Sequence, residues 1–477
     1  MALLIRCCLL SIVALMTVGP LVAADAPTEP TKQVSFARDI QPLLQAHCQG
    51  CHQPAKASGG TVLTSYASLQ KPGESGTSLI VPGKPEESEL LRQVVAAEGE
   101  KPAMPKGAAP LAAAQIDLLR RWISEGAADD SPAQSADPID REHPPVYTSP
   151  PVLSAIDYSP DGSLLAVSGF HEVLLYKADG SELVARLVGL SERIESLAFS
   201  PDGTKLAVSG GSPARMGEIQ IWDVSTRELK HSIPVTYDTL FGVSWSPDGT
   251  RIAFGCTDNT VRALEANSGQ QVLYQGAHAD WVLDTVFSKD ASHLISVSRD
   301  RSMKLTEVAT QRFVDNITSI TPGALKGGLM TVDRHPTEDH LLIGGSDGIP
   351  KLYQTYRTQA RVIGDDFNLI RQFEALPGRI YSAEFSADGN RLVVASSYDQ
   401  HGEVRVYQTA DAAKLATLAG QKGPVYAVAF RPDGAQIASG GFDGMVRLND
   451  AQSGALLKEF VPVPLTTAVA AASQANN

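Results

Sequence analysis

From residue 152 onward, short alternating runs such as Ile194-Glu195-Ser196-Leu197-Ala198-Phe199 are each followed by a tight polar turn. A second apolar run comes next, for example Lys205-Leu206-Ala207-Val208-Ser209-Gly210. Period-two runs joined by turns predict antiparallel hairpins. The turns are Ser159-Pro160-Asp161-Gly162, Ser200-Pro201-Asp202-Gly203 and Ser246-Pro247-Asp248-Gly249. The pattern weakens at Ser288-Lys289-Asp290-Ala291 and at His335-Pro336 with Asp339. It recovers at Ser386-Ala387-Asp388-Gly389 and Arg431-Pro432-Asp433-Gly434, which makes about seven units at intervals of roughly forty to fifty residues. Third strands follow, as in Glu218-Ile219-Gln220-Ile221-Trp222-Asp223 and Gly444-Met445-Val446-Arg447-Leu448. The order predicts contiguous units, from an innermost strand near Val152 to an outermost one at 456–461. Closure is then by contact between units rather than by a swapped strand.

The first third of the chain has a different period. Ile40, Leu43 and Leu44 make an apolar helical face, with Asp39 as its cap and Pro42 in the first turn. Gly59-Gly60, Pro72-Gly73 and Pro82-Gly83 make residues 53–85 loop-rich. A second helix is predicted after Pro85 on Leu90, Leu91, Val94 and Val95. A third, opened by Pro110, carries Ile116, Leu119, Trp122 and Ile123 and ends at Gly126. Trp122 is expected to be a packing residue. Residues 25–34 and 129–151 read as polar, proline-containing linkers, and 463–477 as a disordered tail.

Residues 1–24 have Arg6, an apolar run from Cys7 to Val18, then Gly19-Pro20 and Val22-Ala23-Ala24, the layout of an export signal cleaved before Asp25. Its removal leaves Cys48, Cys51 and Cys256, too few for a disulfide scaffold, and no transmembrane span. The expected location is the periplasm. A net charge of −13 without a basic run argues against nucleic acid, and 43% apolar content suits packed cores.

Cys48-Gln49-Gly50-Cys51-His52 carries the clearest chemistry. Two thiols three residues apart can add to the vinyl groups of one haem, and the adjoining histidine is then placed under the iron. The competing readings are a disulfide, a thioredoxin-like redox pair and half a zinc site. Zinc wants a second ligand pair, which is absent, and a thioredoxin motif wants a βαβ context. For the sixth iron ligand the candidate is Met104, followed by Pro105, against the plainer reading of a core side chain. His47 is too close to the attachment site to reach the opposite face. Asp258, Asp300, Asp347 and Asp443 recur between second and third strands, so they read as turn formers rather than catalytic acids. His278 and Trp281 read as interstrand scaffold and Cys256 as a small apolar side chain. No catalytic residues stand out.

Residues 35–128 resemble a cytochrome c domain of the planctomycete type. The matching pieces are Phe36-Ala37-Arg38-Asp39-Ile40-Gln41-Pro42-Leu43-Leu44, the CxxCH, Ile80-Val81-Pro82-Gly83 with Ser88-Glu89-Leu90-Leu91, Met104-Pro105, and Leu118-Leu119-Arg120-Arg121-Trp122-Ile123. The resemblance implies one covalent haem c, with Cys48 and Cys51 as thioether sites, His52 as proximal and Met104 as distal iron ligand. Residues 152–462 resemble a WD40 propeller, with Trp222-Asp223 as the one literal Trp-Asp and Gly276-Ala277-His278 near the family's Gly-His segment.

The fold expected is a small all-α cytochrome c-like domain followed by an all-β seven-bladed propeller. The function expected is that of an exported monohaem cytochrome moving single electrons, with unidentified redox partners docked on the propeller. It is read as a carrier rather than a catalytic oxidoreductase. The alternatives are an oxidoreductase with a site in the propeller feeding the haem, and a haem-based redox sensor.

Overall fold

The computed structural model describes residues 33–48, 52–53, 56–63, 65–96, 100–106, 109–131, 139, 141, 143–276, 278–320, 325–362 and 364–466. The expected signal at 1–24, Cys51, and tail residues 467–477 lie outside that set. The described chain is mostly β, with a few short helices near its amino-terminal end. Among the described residues no helix is long and apolar enough to cross a membrane.

A single turn at Phe36–Ile40 leads into α1 (Gln41–His47); α2 (Tyr66–Leu69), α3 (Glu89–Val94) and α4 (Ala113–Ser124) follow. Asp39 does not cap α1. Ser35 caps the turn before it, accepting the Arg38 amide at 3.0 Å, while Asp39 accepts the Ser35 amide at 2.9 Å. Pro42 sits in the first turn of α1, where no amide donor is needed. These pieces close on one core of Phe36, Ile40, Leu44, Leu69, Leu91 and Trp122. Trp122 is fully buried; its ring stacks on Phe36 at 5.4 Å and its indole N–H donates to the Ala128 carbonyl at 3.1 Å. Tyr66 meets the edge of Phe36 and donates to the Ala127 carbonyl at 2.8 Å. The all-α expectation needs correction after the CxxCH, where His52–Gln53 pairs antiparallel with Lys56–Ala57. Val34, placed in a linker by the sequence, is buried and donates its amide to Glu125 at 2.8 Å.

Beyond residue 143, the described strands form five four-stranded sheets and one seven-stranded sheet, each antiparallel and sequential. The larger sheet runs from Ile156–Tyr158 to Glu228–Thr236. Its middle strand, Leu183–Phe199, is 17 residues long and pairs through its first half with Phe170–Lys177 and through its second with Lys205–Ser212. The expected succession of separate four-stranded units therefore runs together at this point. The first strand packs on the first strand of the last sheet, Val425–Phe430, and the Leu153 amide donates to the Gly441 carbonyl at 2.9 Å.

Residues of the segments read as the second linker and as the tail make contacts here. Tyr147, from the second linker, is buried and its hydroxyl donates to Glu172 at 2.8 Å. Val463, from the predicted tail, is buried, and the Thr466 amide donates to the Tyr147 carbonyl at 2.8 Å. A parallel bridge joins Tyr147 to Leu465.

The turn motif explains the repeat. Asp161 accepts the Ser163 amide at 3.0 Å and the Ser159 hydroxyl at 2.5 Å, while the Leu164 amide donates back to the Ser159 hydroxyl. Gly162 supplies the positive φ of 69°. At the weakened repeat the His335 ring accepts the Thr337 and Glu338 amides at 3.3 and 3.0 Å, replacing the serine and aspartate acceptors.

Candidate functional sites

The CxxCH segment starts where α1 ends. The His52 amide donates to the Cys48 carbonyl at 3.1 Å, one further helical turn, and the His52 carbonyl accepts the Leu63 amide at 2.9 Å. Cys48 and Met104 are both half-buried against the same core of helices, so the structure brings these two predicted residues to one apolar body. Burial pushes the Cys48 thiol up to about 11, which keeps it from being a free thiolate at neutral pH. His52 is half-buried, and its Nδ1 is buried with no hydrogen-bond partner among the described residues. A desolvated thiol, an imidazole with an unsatisfied nitrogen and a thioether on an apolar core fit a covalently held haem better than a zinc site. His47 is exposed and lies 3.0 Å from the Gln115 amide group.

The repeated polar residues of the sheets are structural. Asp258, Asp300, Asp347 and Asp443 each accept the amide two residues ahead, at 3.1, 2.9, 3.1 and 3.1 Å. Each also pairs with a cation four residues on: Arg262, Lys304, Lys351 and Arg447. His278 is held between Asp300 at 3.0 Å and Ser296 at 2.8 Å. That contact and hydrogen bonds from Ser302 and Ala279 hold the Asp300 carboxyl well below its usual range against the cost of burial. Cys256 is a buried strand residue, as read. Trp281, read as interstrand scaffold, is 38% exposed and stacked on Phe241 at 6.0 Å, with the Arg299 guanidinium 4.7 Å over its ring.

A second site went unread in the sequence. The residue five positions before each turn lies near the start of the innermost strand or, for Glu195, in the second half of Leu183–Phe199. In order these are Ser154, Glu195, Phe241, Leu283, Met330, Tyr381 and Tyr426. All line one cavity of about 640 Å³, open past the exposed side chains of Val152 and Phe170. Tyr381 and Tyr426 meet edge to face at 5.1 Å. The signal was present as a fixed offset from the turn, but the residue types vary too much for composition to reveal it.

The same ring borders an adjoining cavity of about 330 Å³ further along the strands, which Asp157, Asp284, Asp333 and Glu384 also line. These carboxylates join one innermost strand to the next. Asp157 accepts the Phe199 amide at 2.8 Å, Asp284 that of Val332 at 2.9 Å, Asp333 that of Phe385 at 2.7 Å and Glu384 that of Phe430 at 3.2 Å. Burial raises their proton affinity, to about 7 for Asp157 and Asp284, about 6 for Asp333, and well above the usual range for Glu384. Among the described residues no three His, Cys, Asp or Glu side chains form a metal-binding group.

Comparison with known proteins separates the two parts. Residues 48–107 match the family described as Planctomycete cytochrome C. Residues 227–263, 269–306 and 412–450 match the WD domain, G-beta repeat. The matches support a fusion of the two domain types. Over 244 residues the chain is 26% identical to Periodic tryptophan protein 2 of Arabidopsis thaliana, covering 51% of this chain and 25% of that protein. It is 24% identical over 222 residues to Eukaryotic translation initiation factor 3 subunit I of Drosophila pseudoobscura pseudoobscura, covering 46% and 54%. The same subunit from Candida glabrata is 24% identical over 248 residues, covering 49% and 58%. The chain thus spans between a quarter and just over half of these relatives' lengths. They are WD40 proteins and not cytochromes, which overturns the expected function of a single-electron carrier whose propeller serves a haem. WD40 propeller proteins generally mediate protein–protein interactions.

Proposed function

We propose that this chain is a protein-binding scaffold whose binding element is the ring of innermost strands, with a haem-bearing domain at its amino-terminal side. The carrying observation is the mouth built by Phe241, Leu283, Met330, Tyr381 and Tyr426 around a cavity of about 640 Å³. Large apolar side chains converging on an open cavity are the ordinary composition of an interface centre, with Tyr, Phe and Met enriched there. Taking the 17-residue strand as outermost in one unit and innermost in the next gives seven blades. Rigid blades hold the rim in place while the rim residues vary, which suits recognition rather than chemistry.

The test is a photo-crosslinking residue placed at Tyr381, with an equivalent at the exposed outer-strand position Val314 as control. Expected is a discrete partner crosslinked from position 381 and lost in Tyr426→Ala. Equal labelling from both positions would sink the reading.

For the first domain the proposal is one haem c, bonded through Cys48 and Cys51, with His52 and Met104 on the iron. Support comes from the family match, the desolvated Cys48 thiol and the unsatisfied His52 nitrogen. When bound, such a group supplies an iron held between imidazole and thioether. Cys48 and Cys51 would hold it through thioethers and His52 and Met104 would ligate its iron, beside the apolar core that Cys48 and Met104 pack against. Attachment requires export to the compartment where haem is ligated, so residues 1–24 are proposed as the signal and the periplasm as the location. The check is the intact mass of chain matured with an attachment system. An added haem mass lost in the Cys48→Ala/Cys51→Ala double variant is expected, and a bare polypeptide mass for the unaltered chain refutes it.

A further inference from the structure

The mouth of the propeller is apolar, and the cavity behind it is acidic. The smaller cavity is lined by Asp157, Glu195, Asp284, Asp333 and Glu384, and by no lysine, arginine or histidine among the described residues. Arg193 lines only the outer cavity, two residues from Glu195. Two of the rim side chains are tyrosines whose rings meet at 5.1 Å, and Phe241 faces the same opening. Aromatic faces favour a cation passing over them, and carboxylates beyond them favour it again once it has passed. An alkyl stem with a charged tip matches that succession of surfaces, because its methylenes bury against apolar walls while the tip reaches the acids.

We infer that the mouth accepts the side chain of an arginine or lysine presented by a protein partner, its stem against Leu283, Met330 and Tyr426 and its cationic head towards Glu195. The inference rests on the scaffold reading above and adds the chemistry of the group recognised. Four of the five carboxylates already accept an amide from the neighbouring innermost strand. Glu195 is not among those stitching groups, which makes it the carboxylate to alter first.

The experiment uses the full chain and two synthetic pentapeptides, acetyl-Gly-Leu-Arg-Leu-Gly-amide and the same peptide with citrulline in place of arginine, followed by saturation-transfer NMR and calorimetric titration. Citrulline keeps the shape and removes the charge. Expected is binding of the arginine peptide at least about tenfold tighter than its citrulline twin. Glu195→Gln should remove most of that preference without weakening the citrulline peptide, and Tyr426→Leu should weaken the arginine peptide several-fold while keeping the apolar wall. A Glu195→Gln chain with altered thermal unfolding is replaced by Asp333→Asn, whose amide oxygen can still accept the Phe385 amide. Equal binding of the two peptides, no signal from either, or an unchanged preference in both acidic variants overturns the inference. Crosslinking from position 381 that persists under any of those outcomes leaves the scaffold reading standing and removes only this one.

Discussion

The turn that repeats through the sheets is a matter of single residues. Its aspartate gathers a hydroxyl and an amide, and those hydrogen bonds hold the carboxyls of Asp290 and Asp388 down at about 2. Its fourth residue must adopt a positive φ, and glycine does so without strain. At the fourth repeat Ala291 takes that place with φ 57°, so the turn is kept and the strain is accepted. Ala291→Gly is therefore expected to raise stability by about 1 kcal/mol, seen as a higher urea midpoint with unchanged slope. No gain would mean that the freedom added to the unfolded chain cancels the relief. The sequence was most legible here. Ser, Pro, Asp and Gly each have one physical reason to be in a tight turn, so the repeat could be counted even where Lys289 and Ala291 had replaced two of them. His335 shows the limit, because an imidazole standing in for a serine and an aspartate has no sequence signature.

Strands set the next scale. Arg447, in the strand Val446–Asp450, is almost fully buried between Asp443 at 2.5 Å and Glu459 at 2.8 Å. Arg262 occupies the same place in its own sheet, but its partner Asp258 is 42% exposed. Removing a buried partner strands its carboxylates, whereas an exposed partner regains water. Arg447→Ala should thus cost about 3 kcal/mol, and Arg262→Ala about 1 kcal/mol or less. Paired urea titrations decide this, and equal losses would remove burial as the cause. Strand positions were readable from alternation, but their joins were not. Leu183–Phe199 is one strand across Gly189, with a register shift between Val188 and Arg193, and its Ser191 donates to the buried Glu218 at 2.7 Å. In the helical part, the periodicity of Leu119, Trp122 and Ile123 placed α4 correctly on its core, but its start at Ala113 lies beyond Pro110. Nothing in the pattern indicated that His52–Gln53 would pair with Lys56–Ala57.

Across the whole molecule, the ring of innermost strands is held by side chains as well as by packing. Asp157, Asp284, Asp333 and Glu384 each reach an amide of the following strand from a site that water solvates poorly. Their arrangement was not legible beforehand, because the four acids belong to distant stretches and meet only when the ring closes. Closure also brings like charges together: Asp333 raises the proton affinity of Asp157, Asp284 and Glu384, while Arg334 lowers that of Asp333. Arg193 likewise opposes the upward shift of Glu195. In the unfolded chain these groups titrate near 4. The folded form therefore holds more protons between about pH 4 and pH 7, and linkage makes it gain stability as pH falls through that window. The turn aspartates act in the opposite sense, losing their contribution only below about pH 4, since their folded values lie near 2. The expected profile is a thermal midpoint that rises on acidification from pH 8 to about pH 5 and drops below about pH 4. Calorimetry at constant ionic strength measures it, and Asp333→Asn should flatten the upper limb because it removes one titrating carboxyl while leaving an acceptor for Phe385. A midpoint that falls steadily from pH 8 downward would show that the ring carboxylates are ionised and solvated in the folded protein, and would undo the account of how the innermost strands are joined.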